Sequence, residues 1–183
     1  MDRRFTGKAN SRDAASESGS PDSLFETVAV RHSSMIARIA LAHEADPALR
    51  RDLVQDIMLA IWSSLPQFRR DSSLKTFVAG IAYKQAISHV ARALKRPKPT
   101  LLSESLICES PLPDEIASRN QLKSLMLDVI QTLPLAQKQA IILCLEDFTF
   151  NEIGVTLGIS TRAASMRCNR ARVALRVAMD KWS

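Results

Sequence analysis

The sequence predicts an all-α fold: two small helical domains joined by a linker, the C-terminal one containing a helix-turn-helix. Three observations lead there. Apolar residues recur at three- and four-residue intervals through each long segment, the period of a helix with one buried face. Glycine is scarce, with five in 183 residues, while Leu, Ala, Arg and Gln, which lose little side-chain freedom in a helix, abound. No stretch shows the strict alternation of a half-buried strand.

Residues 1–22 mix both charges with Ser, Gly and Asn and have no apolar h-region; they are expected to form a disordered tail, with no targeting segment. The first helical domain is expected over 23–95. At its threshold, SPDSLFETVAVRHSSMIARIALAHEA offers Ser20 as N-cap and Pro21 at the first helical position, followed by Leu24, Val28, Met35, Ile36 and Ile39 in roughly helical period. Asp46 and Pro47 repeat that start signal. The stripe that follows runs Leu49, Leu53, Ile57 and Ile61, widened by Val54, Met58, Trp62 and Leu65, until Pro66 breaks it. After the loop PQFRRDSS, Ser72 or Ser73 caps a third helix. Leu74, Phe77, Val78, Ile81, Ile87 and Val90 are expected to form its core face, with Lys75, Tyr83, Lys84, His89 and Arg92 outward.

Residues 96–113 hold four prolines and no period, the pattern of an interdomain linker; Leu101, Leu102, Leu106 and Ile107 suit it to lying against a partner. The second domain is expected over 114–183. It begins with DEIASRNQLKSLMLDVIQTL, which Pro134 ends, and continues with LAQKQAIILCLED. Thr149 and Glu152 then have the spacing of a capping box, and Gly158 suits the left-handed residue that closes a helix. Ser160 or Thr161 can cap the last helix, TRAASMRCNRARVALRVAMDKW, completing a helix-turn-helix.

A net charge of +6 makes a polyanion a reasonable partner, nucleic acid before membrane. No apolar run is long enough to span a bilayer. Cys108, Cys144 and Cys168 are odd in number and form no CxxC pair, which argues against a disulfide framework or zinc site and fits a reduced, cytoplasmic location. Cys144, inside AIILCL, is expected to be a small core residue. His32, His43 and His89 share no metal-ligand spacing.

In a helix-turn-helix the second helix enters the major groove, with base edges read near its N-terminus and phosphates held alongside. Arg162 and Arg167 are the candidates for direct contact, with Thr161, Ser165 and Asn169 as polar readers and Arg170, Arg172 and Arg176 further along for phosphate. This motif alone is shared by many regulators.

Two stretches narrow the choice. DLVQDIMLAIW, F-R-x-D-S-S-x-K-T-F and IA…AISH resemble the promoter-recognition core of ECF-type (extracytoplasmic function) sigma factors of bacterial RNA polymerase, in the sigma-70 family. LPLAQKQAIILCLEDFTFNEIGVTLGIS and the later RAR resemble that family's C-terminal domain, in the family order. The resemblance implies that Asp52, Gln55, Asp56 and Leu59 dock on core polymerase. It implies that Phe68, Arg69, Asp71, Ser72 and Ser73 form a pocket for the −10 element, with Lys75, Tyr83, Lys84, His89 and Arg92 along the backbone, while the C-terminal helix reads the −35 element. Tyr83 and Lys84 stand where the family carries Arg-Asn, and AASMR replaces the frequent TVKSR. An anti-sigma factor is the further partner implied. No cofactor, catalytic residue or metal is expected, since polymerase performs the chemistry. The other readings open are a sigma-like decoy that sequesters a regulator and a stand-alone helix-turn-helix regulator; no glycine loop, metal cluster or nucleophile arrangement supports an enzyme.

Overall fold

The computed structural model describes residues 20–95 and 126–180, and among them every regular element is helical. The expected tail over 1–22 falls almost entirely outside the described residues, as does the expected linker over 96–113.

Ser20 caps α1 (Pro21–Arg31), its side chain accepting from the Ser23 amide. What the apolar period presents as one helix is divided at His32, which ends α1 and precedes α2 (Ser33–His43) with φ −115° and ψ −3°. Neither glycine nor proline marks that break. Asp46 Oδ1 accepts from the Ala48 and Leu49 amides at 2.8 and 2.9 Å and so opens α3 (Pro47–Ser64), supplying two of the donors a helix start leaves unpaired. A 3-10 turn over Leu65–Gln67 follows, and Ser73 Oγ accepts from the Thr76 amide at 3.2 Å at the head of α4 (Leu74–Lys95).

Beyond the linker, α5 comprises the helical residues 126–132, then come α6 (Leu135–Leu145), α7 (Phe150–Leu157) and α8 (Thr161–Asp180). The Thr149–Glu152 capping box forms with both of its reciprocal bonds. Gly158 closes α7 at φ 64°, the left-handed region, while the Ile159 amide reaches back to Gly154 O at 2.9 Å.

Leu53, Ile57 and Ile61 of α3 and Ile36 and Ile39 of α2 are fully buried, and α4 meets them with Leu74, Val78, Ala79, Ala82 and Ala86. Two expectations for α4 are reversed. Ile87, assigned to the core, is 42% exposed, and Tyr83, assigned outward, is 2% exposed. The cause is that α4 has two packed sides. Its small alanines let α2 and α3 approach closely, and its other side faces the second helical group, a neighbour that helical periodicity does not reveal.

The seam between the groups is polar at its rim and apolar within. Arg38 of α2 grips the Glu146 carboxylate with two bonds, Nη2 to Oε2 at 2.7 Å and Nε to Oε1. Lys75 Nζ donates to Glu146 O at 2.5 Å and lies 4.4 Å from the centre of the Phe148 ring, a cation–π contact. Tyr83 Oη donates to Gln139 O at 3.1 Å, and Gln131 Nε2 donates to Leu41 O at 3.1 Å. Leu133, Leu143 and Phe148 join the same buried cluster as the first group's core.

Candidate nucleic-acid interface

The helix-turn-helix is built from α7, the turn Gly158–Ser160 and α8. Ser160 Oγ accepts from the Ala163 amide at 3.2 Å and caps α8. A β-carbon on Gly154 would lie 2.8 Å from Ile159 O, so the missing side chain at this position lets the turn fold against α7. That glycine went unremarked in the sequence because nothing local calls for it; only the close approach of the turn does.

Ala164, Cys168 and Ala171 are the buried stripe of α8, four and three residues apart. Everything opposite that stripe faces outward: Arg162, Met166, Asn169, Arg170, Val173 and Arg176 are exposed, and so are Thr161 and Arg172. Thr161 Oγ1 also donates to Asn151 Oδ1 at 3.4 Å across the turn. Ser165 and Arg167 are half-buried on the flanks of the stripe. Of the two arginines expected to make direct contact, Arg162 therefore stands at the head of the outer face, while Arg167 stands beside the packed one.

The candidates after Pro66 differ in their surroundings. Phe68 is half-buried with its ring 4.6 Å from that of Phe77, and Ser73 is occupied as the cap of α4. Arg69 and Asp71 are exposed on the loop between them, Ser72 is half-buried, and Arg70 adopts the left-handed region at φ 61°. Lys75 and Tyr83 are committed to the seam. His89 is half-buried, Nε2 lying 2.6 Å from Glu44 Oε2, which ties α4 to the turn after α2. Lys84 is exposed, and Arg92 is exposed with a loose ion pair to Asp56 at 3.5 Å.

Burial raises the Tyr83 hydroxyl well above the ordinary tyrosine range, with the Glu146 charge adding to it. It is a neutral donor in the seam, not a surface group.

The polymerase-docking candidates share one face. Asp52, Gln55 and Leu59 are exposed and Asp56 is half-exposed, at spacings of three and four along α3, and Leu59 is 65% exposed with Trp62 at 55%. Sequence analysis counted Trp62 in the core stripe, yet it extends this outer face. An acidic strip with an apolar centre is a surface suited to a partner with basic rim groups.

Residues 28–96 match the model of sigma-70 region 2, and residues 123–175 match that of sigma-70 region 4. The chain belongs to the sigma-70 family. Its pairing of region 2 with region 4, in that order, is that of an ECF-type sigma factor, as the two sequence stretches implied. Sigma factors are transcription initiation factors: region 2 binds core RNA polymerase and region 4 binds promoter DNA. The fold is similar to that in the structure of CnrH in complex with the cytosolic domain of CnrY, with a TM-score of 0.66 at 22% identity, covering 93% of this chain and 96% of that one. It is similar also to the sigma factor RpoE in complex with the anti-sigma factor NepR from Bartonella quintana, with a TM-score of 0.63 at 18% identity, covering 88% and 98%. Among curated proteins there is no significant match to this sequence. No helix among the described residues is long and apolar enough to cross a membrane.

Proposed function

We propose that this sigma factor docks on core RNA polymerase through Asp52, Gln55, Asp56 and Leu59, recognises the −35 element with the outer face of α8, and engages the −10 element through the loop after Pro66 and the adjoining turns of α4. The domain limits 23–95 and 114–183 divide that work. The observation that carries the reading is the outer face of α8, where Arg162, Asn169, Arg170 and Arg176 stand free behind a capped turn, within a chain that also matches region 2. A basic, exposed second helix has the composition of a major-groove reader. The chain supplies no catalytic step, and its place of work is the cytoplasm, where polymerase and promoter are.

The packed arrangement of the two groups also bears on regulation. Lys75 Nζ and the Tyr83 hydroxyl are bonded across the seam while it is shut, so their service along −10 DNA requires it to open. An anti-sigma protein that holds the seam shut keeps them from DNA. RpoE, similar in fold, is a sigma factor whose structure contains an anti-sigma factor.

Co-elution of the full chain with core polymerase tests the docking face. The wild-type chain should co-elute, and a chain carrying Asp52→Lys and Gln55→Lys should not, with unchanged thermal stability because both side chains are exposed. Equal co-elution of both chains would refute the docking assignment.

A further inference from the structure

The line of α8 that points furthest from its packed side carries a large apolar side chain that the −35 reading leaves unused. With Ala164, Cys168 and Ala171 buried, about 3.6 residues per turn bring Arg162, Met166, Asn169 and Val173 to the opposite side, and all four are exposed. Met166 is 46% exposed and belongs neither to the buried core nor to the described half-buried residues packed on it. On the same face Arg162 stands one turn before it and Asn169 one turn after it. An apolar side chain thus lies between two polar ones, early in the helix.

Base edges are met by the N-terminal residues of the second helix in a helix-turn-helix, and Met166 shares that position with Arg162 and Asn169. What a methionine can recognise there is narrow. Its thioether is at most a weak acceptor, so it discriminates little among hydrogen-bonding patterns. The major groove presents one apolar group, the C5-methyl of thymine, and an apolar side chain reads that group. Methionine is unbranched and polarisable, so it closes on a methyl without demanding a fixed shape. Val173 and Val177 lie about 10 and 17 Å further along the axis, with the exposed Asn169, Arg170 and Arg172 between. Met166 is therefore not part of the continuous apolar patch that a partner helix needs. Arg170 on one flank of it and Arg176 on the other suit phosphates instead.

We propose that Met166 is a specificity-determining residue of this sigma factor and reads one thymine of the −35 element through its methyl group. The proposal rests on the assignment of the −35 element to α8 made above and adds an apolar reader to its polar ones. Along the helix axis Met166 lies about 6 Å from Arg162 and about 4.5 Å from Asn169, which is one to two base steps at about 3.4 Å each. The thymine therefore lies within about two base pairs of the pair that Arg162 contacts. Contact takes the methyl and the end of the methionine out of water together, without a hydrogen bond to complete. Removing the methyl from DNA should accordingly weaken binding about three- to fourfold, the value of one buried group of that size.

The test uses core polymerase carrying the full chain, which selects promoter fragments from a pool randomised over the −35 segment. Each thymine of the preferred segment is then replaced in turn by deoxyuridine, which keeps every hydrogen-bonding group of thymine and lacks only the methyl. At fixed salt, one replacement should weaken binding of the wild-type complex by the factor just given. A Met166→Ala complex should be weaker on the thymine fragment by a similar factor and should bind the thymine and uracil fragments alike at that position. Its thermal stability should match wild type, because Met166 is exposed. Indifference of the wild-type complex to every replacement would overturn the proposal, as would a Met166→Ala complex that still prefers thymine at the sensitive position. A Met166→Ala chain that co-elutes less with core polymerase, while its complex keeps the thymine preference, would make Met166 a protein contact and overturn it too. A pool that yields no shared −35 sequence defeats the reading of α8 and this proposal with it; a shared sequence without a methyl-sensitive position defeats this proposal alone.

Discussion

A methyl group on Gly154 would press on Ile159 O, a backbone atom with no freedom to swing aside, whereas the same methyl on Gly158 would meet nothing but would sit on a left-handed backbone. The glycine within α7 and the glycine that closes it therefore fail differently. Gly158→Ala should cost about 1 kcal/mol from backbone conformation, and Gly154→Ala about 1–3 kcal/mol from overpacking. Urea denaturation of the full chain measures both; a Gly154→Ala chain as stable as wild type would contradict the close approach described. The sequence made Gly158 legible, because a glycine between a capped helix and a following cap has one obvious use. It left Gly154 illegible, because that need arises from the returning turn.

His43 is a second residue whose role belongs to the fold. Its Nδ1 bonds Ile39 O at 2.8 Å, its ring meets the edge of Tyr83 with centroids 5.7 Å apart, and its Nε2 is buried without a partner. Burial lowers its pKa below the ordinary 6.5, the Ile39 bond opposes that, and the Lys138 and His89 charges add to the lowering. With the folded value depressed, the unfolded chain binds more protons below pH 6.5. Stability is thus fully present above that pH and is lost as pH falls through the folded value. Replacing His43 by Asn should flatten this part of the stability profile, measured as the difference in urea midpoint between the two chains from pH 7.5 to 5; parallel profiles would show that His43 titrates as in the unfolded chain.

At the scale of elements, α8 has one packed side and one outer side, and the two arginines expected to read bases stand differently on it. The buried Ala164, Cys168 and Ala171 fix which side of the helix faces out, and that side holds Arg162 and Arg176 while Arg167 lies on its flank. Arg162→Ala should weaken binding to the preferred −35 duplex by about 1–3 kcal/mol and relax specificity at one position, and Arg176→Ala should weaken all duplexes alike and reduce the salt slope by about 1. Fluorescence anisotropy on matched and mismatched duplexes, at several fixed salt concentrations, separates them; equal losses from both variants on every duplex would remove the division between base reading and phosphate holding. In α4 the sequence reading misplaced Tyr83 and Ile87 together. A helix packed on two sides has no single apolar stripe, and its small alanines, silent in a hydrophobicity pattern, are what its neighbours close upon.

Among the described residues, the two groups meet through contacts of mixed quality. Arg38–Glu146 and Lys75–Glu146 O lie at the rim, while Gln139 and His43 each bury a nitrogen with no partner. Each such orphan costs about 1–3 kcal/mol, so the seam is a contact suited to opening. A Glu146→Ala chain loses the acceptor for Arg38 and should be more extended in small-angle scattering, with a larger radius of gyration than wild type at equal concentration; identical radii would show that the carboxylate does not hold the groups together. The two helical units, their order and the turn were legible because caps, prolines and helical period are local signals. Their packing was not, because Lys75, Tyr83, Gln139 and Glu146 look like surface residues until the two groups face each other.

The central claim is that this chain directs polymerase to start sites. Run-off transcription from genomic fragments of the source organism, with core RNA polymerase alone and with the full chain added, tests it most directly. New, discrete transcripts that appear only with the chain, and are lost when Asp52→Lys and Gln55→Lys are combined, are the predicted result. A chain that binds core polymerase yet yields no new start site on any fragment would contradict the account.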